Sequence, residues 1–540
     1  MSSRAPVPSV ARRAAVAVAV LAAFYLTTIA IALALVPVPV IVFMAMDHVR
    51  PVAILAVAAC CWIPAGLLLS GLFGVKPPRF SEPGLPLRRE QAPAVFALLD
   101  ELAAAAKTTA PADVYVSAMP ELFVMETGGG LFGTNSRRVL CIGAPLLATS
   151  TVGELRSMLA HELGHYLGGD TRLSGVMAFT EGAFRSVLEA TERNAFHDAG
   201  HWSIELAQSV AGGIGKGLVK LFASVYLRLT RPMKRRQELA ADLLSADLAG
   251  RDTAIRALEN VHVLGPLYHA YLASEVALVI DAGAMPTDLL AGFERFRARI
   301  AERGELAKLT DAVQKAETDP FDTHPALAER VAALRAAPDG RPGVLDASAR
   351  TMLDGSFELD AWLVDATLTS FERSQARVEK MPWKEITNGV VPRRVAHRAR
   401  EVAGLLHPRM PHATTVSAMF AAVVAGFESG RTAEIVAVAE PNVAQVPVYQ
   451  QHEVIAELAG RLLLVLFEGA LVEGGAEIEE SLGEPCLVFR FAGDTVRPGS
   501  IAIGAMRDDA GRHELARWTA RLATPPDGMP LAVHPSQTAG

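Results

Sequence analysis

The chain has 540 residues, 51% hydrophobic and 20% charged, with a formal net charge of −7 and a positive mean hydropathy of +0.27. Its length allows two or three domains, and its apolar content is high for a purely soluble protein, so part of it is expected in lipid. The modest charge and the lack of a long basic block argue against nucleic acid as a partner; the four scattered cysteines form neither a disulfide framework nor a CxxC pattern and fit a reducing compartment.

Residues 14–36, AAVAVAVLAAFYLTTIAIALALV, carry no charged side chain and are long enough to cross a hydrocarbon core as a helix. A second uncharged run covers 52–75. The first run is too long for a signal-peptide core and the second follows too closely, so both are expected to remain as an anchor over 1–76. Arg4, Arg12 and Arg13 precede the first span and Lys76, Arg79, Arg88 and Arg89 follow the second, while the connection offers only Arg50. That bias predicts a hairpin in the plasma (inner) membrane with both ends on the cytoplasmic side.

After a proline-rich exit at 76–90, helical periodicity runs from about 92 to 106. ADVYVSA at 112–118 alternates like a strand, as does RRVLCIG ending at Gly143 after the turn TGGGLFGTNS, and the two are expected to pair. A helix should start at Thr151, which has the spacing of a capping box with Glu154, and end at Gly168 and Gly169. Inside it lies MLAHELGHYLGGDT, residues 158–171, with His161 and His165 four apart.

Residues four apart on a helix share a face, so the two imidazoles can converge on one ion. Glu162, beside the first of them, is placed to take a proton from water activated by zinc. A bare HExxH can also be two surface histidines, and a third ligand decides between these readings. The metzincin spacing fails, because Thr171 occupies the ligand position. RRQELAADLLSADLAG, 235–250, reads as a second helix with Glu238 and Asp242 on one face. This is the gluzincin arrangement, in which His161, His165 and Glu238 would bind one Zn2+ and Asp242 would orient a ligand histidine through its other ring nitrogen.

HELGH followed by the distant ELAAD, behind amino-terminal membrane spans, resembles the membrane zinc endopeptidases of the HtpX type, a family that includes the CAAX prenyl endopeptidases. The resemblance covers about 89–336. It implies a mostly helical gluzincin domain with a small sheet, and a role in membrane protein quality control. DTHPALAERVAAL, 322–334, resembles the Thr-His-Pro stretch that closes the family's catalytic domain. By that resemblance His324 would help stabilise the oxyanion; an exposed histidine at a helix start is the alternative. Two departures stand out. PELFVMETGGG, 120–130, replaces the family's Asn-Ala-Phe-like segment on the strand before the metal helix, and residues 203–229 carry Glu205, Lys216 and Lys220, which favour an interfacial or core helix over a further span.

Past the linker-like AAPDGRPGVLD at 336–346 the resemblance ends. Helical runs such as 452–471 then mix with strand-like PCLVFRFAG and SIAIGAM, and His397, His407, His412, His452 and His513 show no metal-ligand spacing.

The expected fold is α+β: a mostly helical gluzincin-type zinc peptidase domain (77–336) behind two transmembrane helices, a linker (337–354), and an additional α/β carboxy-terminal domain (355–535) of unknown role. The expected function is that of a membrane-anchored zinc metalloendopeptidase acting on membrane-associated or misfolded proteins at the lipid bilayer. The competing expectation is a non-catalytic membrane scaffold or sensor on the same fold. Glu162, which is no metal ligand, favours the enzyme.

Overall fold

The computed structural model describes residues 10–45, 51–73, 81–127, 137–166, 180, 182–190, 202–315, 325–338, 347–354, 359–371, 378–479 and 481–523. By their contacts these fall into two units, Met1–Gly265 with Thr310–Phe357, and Pro266–Leu309 with Glu358–Gly540. The division differs from the expected 77–336 domain, since residues 266–309 pack with the carboxy-terminal part. The Trp383 indole donates to the Tyr271 hydroxyl at 2.9 Å, and the Arg303 guanidinium donates to the Gly483 carbonyl at 2.6 Å.

The first unit begins with helices α1 (Val10–Leu35) and α2 (Pro51–Phe73). Val18–Ala45 and Val52–Phe73 are long and apolar enough to cross a membrane. Their outward side chains, among them Leu26, Leu33, Leu55 and Phe73, are exposed in the isolated chain, as lipid-facing residues are. Inward, Phe24 is fully buried and meets Phe184 and Phe222 edge to face, with ring centroids 4.8 and 5.5 Å apart. Gly71 lets the helical segment 182–190 approach closely, because a Cβ there would lie 2.7 Å from the Val187 Cα.

A four-stranded sheet is formed by β1 (Leu85–Leu87), which comes before helix α3 (Pro93–Ala105), and by β2 (Asp113–Ser117), β3 (Leu122–Thr127) and β4 (Arg137–Gly143), which come after it. The strand order is β1-β2-β4-β3, with the expected β2–β4 pair parallel and the other pairs antiparallel. The departing segment PELFVMET thus supplies β3, an edge strand.

Helix α4 (Val152–Gly164) starts with the expected capping box: the Thr151 hydroxyl accepts from the Glu154 amide, and the Glu154 carboxylate accepts from the Thr151 amide. Gly168 and Gly169 lie outside the described residues. Helix α5 (Trp202–Ala249) is a single element of 48 residues, roughly 72 Å long at 1.5 Å per residue. It joins two segments expected to be separate helices. Its first half packs on α1 and α2 through Leu218, Phe222 and Tyr226, and leaves Lys216, Lys220 and Arg228 exposed; its second half carries Glu238 and Asp242. Helices α6 (Arg251–Tyr271) and α7 (Leu327–Arg335) follow. The stretch Arg251–Asp281 also has the length and hydropathy of a span. Its first turns carry Arg251, Asp252, Arg256 and Glu259, and Leu264, Leu267, Tyr268 and Tyr271 are buried in protein, so we read it as a core helix.

The second unit is mostly helical, with a parallel pair β5 (Ala284–Pro286) and β6 (Glu379–Met381) and an antiparallel sheet of β7 (Glu477–Glu479), β8 (Val488–Phe491) and β9 (Asp494–Val496). Helices α8 (Val391–Leu406), α9 (Val416–Glu428) and α10 (Val448–Glu473) share a core in which Phe420 and Phe467 stack at 5.0 Å. The strand expected at SIAIGAM is instead part of helix Pro498–Arg507. Pro498 at its first turn, where a missing N–H costs nothing, favours the helix over the short alternation.

Candidate active site

The site is built where α4 crosses α5. Gly164, between the two histidines of the motif, permits the crossing: a Cβ there would sit 2.9 Å from the Ala241 Cα. The Ser157 and Ser245 hydroxyls bond across the same buried interface at 2.7 Å. This contact sets Glu238 opposite His161 and His165. One donor atom from each of the three lies within 4.8 Å of the others, and among the described residues no other such group of histidine, cysteine or carboxylate side chains occurs. Glu238 Oε2 is 3.5 Å from His161 Nε2, and Oε1 is 3.8 Å from His165 Nε2. Two imidazoles and one carboxylate suit a borderline divalent cation such as zinc and leave a coordination position for water or substrate.

The surrounding groups hold that set in place. His161 Nδ1 lies 2.9 Å from Asp242 Oδ1, which reserves Nε2 for an ion. Arg330, on α7, donates to both Asp242 oxygens at 2.8 and 2.7 Å, and its Nη2 is 3.5 Å from Glu238 Oε2. Asp242, Arg330 and Glu238 are 3, 5 and 6% exposed, so this network is paired out of contact with water.

Burial disfavours a charged His161, but its hydrogen bonds to Asp242 and Glu238 outweigh that and push its pKa up to about 9. Burial likewise opposes ionisation of Asp242, and the bonds from Arg330 and His161 overcome it and hold this carboxyl low. Burial raises the Glu162 carboxyl, against the pull of His161. A raised carboxyl accepts a proton more readily, which suits a general base.

Glu162 reaches the sheet as well. Its Oε2 accepts from the Val124 amide of β3 at 3.2 Å, and the Tyr166 hydroxyl donates to the Val124 carbonyl at 3.1 Å. Arg138 covers the Tyr166 ring at 4.0 Å. The metal set and Glu162 open into a cavity of about 430 Å3, also lined by Leu122, His262, Pro325 and Ala326.

The structure therefore brings together His161, Glu162, His165, Glu238 and Asp242. His324 lies outside the described residues, although its neighbours Pro325 and Ala326 line the cavity. Sequence reasoning did not identify the full role of Arg330, the Val124 amide, Tyr166 or His262. Only Arg330 had a signal, as a charged residue on an otherwise apolar helix face.

The peptidase-like unit is mostly helical, with HExxH on one helix and the glutamate on the next, and it follows apolar amino-terminal helices long enough to cross a membrane. Residues 91–337 match the model of peptidase family M48. It is 25% identical over 236 residues to a protein named protease HtpX homolog from Chlorobium luteolum, a match covering 41% of this chain and 66% of the relative. A protease HtpX homolog from Thiobacillus denitrificans is 26% identical over 228 residues, 40% of this chain and 66% of its own length. The protease HtpX of Hahella chejuensis is 26% identical over 209 residues, 37% and 58% of the two chains. These matches thus span 66% of the relatives' length or less. No solved structure matches the chain.

Proposed function

We propose that the chain is a zinc-dependent endopeptidase, anchored by two membrane-spanning helices with its peptidase unit on the cytoplasmic side, that cleaves misfolded or regulatory membrane-associated proteins. The observation that carries this reading is the convergence of His161, His165 and Glu238 with Glu162 beside them. The relatives named protease HtpX support peptide-bond hydrolysis as the reaction.

When bound, zinc supplies Lewis acidity toward the scissile carbonyl and the attacking water. Glu162 takes a proton from that water and returns it to the leaving amine, with Val124 holding one carboxylate oxygen and leaving Oε1 for the proton. Asp242 keeps the His161 proton on Nδ1, and Arg330 keeps Asp242 ionised and fixed. The orientation rests on the arginines and lysines flanking the apolar helices, and a reporter fused after Gly540 that is active only outside the cell would overturn it.

The deciding experiment compares wild type with Glu162→Gln, solubilised and brought to equal zinc content, on unfolded casein. Cleavage by wild type that disappears in the zinc-loaded variant is the expected result. Zinc binding by both with cleavage by neither would favour the scaffold or sensor reading.

A further inference from the structure

One side of an edge strand has no neighbouring strand, so the N–H and C=O groups on that side need partners from elsewhere. At the start of β3 the Glu121 carbonyl accepts from the Gly143 amide at 2.6 Å, and Val124 stands opposite Leu140 across the antiparallel pair. The alternation of such a ladder turns the backbone groups of Leu122, Val124 and Glu126 away from β4. The two outward groups of Val124 are nevertheless both taken. Glu162 Oε2 accepts from its amide at 3.2 Å, and the Tyr166 hydroxyl donates to its carbonyl at 3.1 Å. These two side chains are four residues apart, the spacing that sets them on one helical face, and the Tyr166 amide keeps the chain on that path by bonding the Leu163 carbonyl at 3.1 Å.

Packing does not fix β3 in this position. None of its six side chains is buried, whereas five of the seven on β4 are. The Tyr166 ring, in contrast, is held. Arg138 covers it at 4.0 Å, and the guanidinium is itself bound by Glu126 at 3.2 Å, the Thr108 hydroxyl at 2.7 Å and the Thr109 carbonyl at 2.9 Å. A continuous set of contacts thus runs from the sheet through Arg138 and Tyr166 to Val124, and from Val124 to Glu162.

We propose that Tyr166 is a positioning residue for the hydrolysis: by holding the Val124 carbonyl it keeps the Val124 amide on Glu162 Oε2, and so keeps Oε1 aimed at the attacking water. This rests on the reading of Glu162 as the general base. Tyr166→Phe keeps the ring and its contact with Arg138 and removes only the hydroxyl. The Val124 carbonyl then has no partner on the metal helix, β3 moves away from it, and Glu162 loses the amide that orients it.

The test compares wild type with Tyr166→Phe, both as the solubilised full chain at equal zinc content. Amide hydrogen exchange over 122–127, followed by mass spectrometry, should be about three- to tenfold faster in the variant, as loss of one hydrogen bond implies, with exchange over 113–117 unchanged. On unfolded casein kcat should fall by about tenfold or more with KM within about twofold of wild type, since a misaimed base slows the chemical step and leaves binding alone. Unchanged exchange over β3 overturns the proposal. So does a wild-type kcat, a rise in KM at wild-type kcat, or a loss of zinc affinity and stability in step with kcat, which would make Tyr166 a structural residue only. A wild type that cleaves nothing counts against the peptidase reading alone, and the exchange comparison then decides the link from Tyr166 to β3.

Discussion

In the peptidase unit the buried charges behind the metal set meet one another: His161 on Asp242, Asp242 on Arg330, Arg330 near Glu238. In the second unit Glu468 lines a cavity without a hydrogen bond or ion pair among the described residues, and the nearest opposing charge, Arg398, is exposed. The first arrangement is complete except for an ion among three inward-facing donors, and its rigidity fixes where that ion sits. The second leaves one carboxyl to the effect of its burial. A buried network that is satisfied specifies geometry, whereas a lone carboxyl makes the fold respond to pH.

The largest effect should come from the one carboxylate of the paired site that neither holds the ion nor braces a ligand. Glu162→Gln is expected to cut peptide hydrolysis by about 10²–10⁴-fold, the range general-base catalysis supplies, while metal content by elemental analysis stays at the wild-type level. Loss of metal together with activity would make Glu162 part of the ion's support and would blur the distinction between base and scaffold.

Arg330→Met tests the pairing itself. It leaves Asp242 buried with the His161 ring as its one remaining partner named here, so thermal or denaturant unfolding of the solubilised chain should show a loss of about 3–5 kcal/mol. Adding Asp242→Asn to that variant should recover part of the loss and still weaken metal binding by about 10–100-fold, because the support for His161 is gone. A single Arg330→Met variant as stable as wild type would mean that water reaches Asp242.

How much of these two regions could be read in the sequence follows the range of the interactions. The HExxH helix was legible because its cap, period and motif are local, with Thr151 and Glu154 three residues apart and the histidines four apart. Glu238 and Asp242 were legible through a second local motif. Arg330 was not, because its partner lies 88 residues away and nothing near it in the chain announces the pairing. The continuity of α5 was hidden too, as it runs through Pro232, a residue that removes a backbone hydrogen bond, on the strength of packing against α1 and α2. The placement of 266–309 with the second unit depends on contacts such as Tyr271 to Trp383, which no periodicity encodes. Glu468 read as one more charge on an amphipathic helix, and only the fold shows that it faces a cavity.

On the unpaired side the expected effect is smaller and depends on pH. Glu468 titrates near 7 in the folded chain, above the ordinary carboxylate value of 4.5, so the folded state holds a proton that the unfolded state gives up. Its contribution to stability is therefore full below about pH 4.5 and is lost as pH rises through about 7. Unfolding of wild type at pH 5 and pH 8, compared with Glu468→Gln, should show a pH-dependent difference of at most about 3 kcal/mol that the variant lacks. An unaltered pH profile in Glu468→Gln would show that this carboxyl is solvated and would remove the contrast between the two regions.

Burial, and not the mere presence of charge, separates these cases, and the same helix provides the smallest predicted effect. Arg461 and Glu457, two turns before Glu468 on α10, form an ion pair with side chains 70 and 60% exposed. Water screens both partners, and fixing two long side chains costs entropy, so such pairs contribute about 0.3–0.5 kcal/mol in a helix. Arg461→Ala should change unfolding by no more than that, with no difference between pH 5 and pH 8. A shift of 2 kcal/mol or more, well beyond the roughly 1 kcal/mol ceiling for exposed pairs, would mean that charge anywhere on α10 governs the unit. The special standing of Glu468 beside the cavity would then fall.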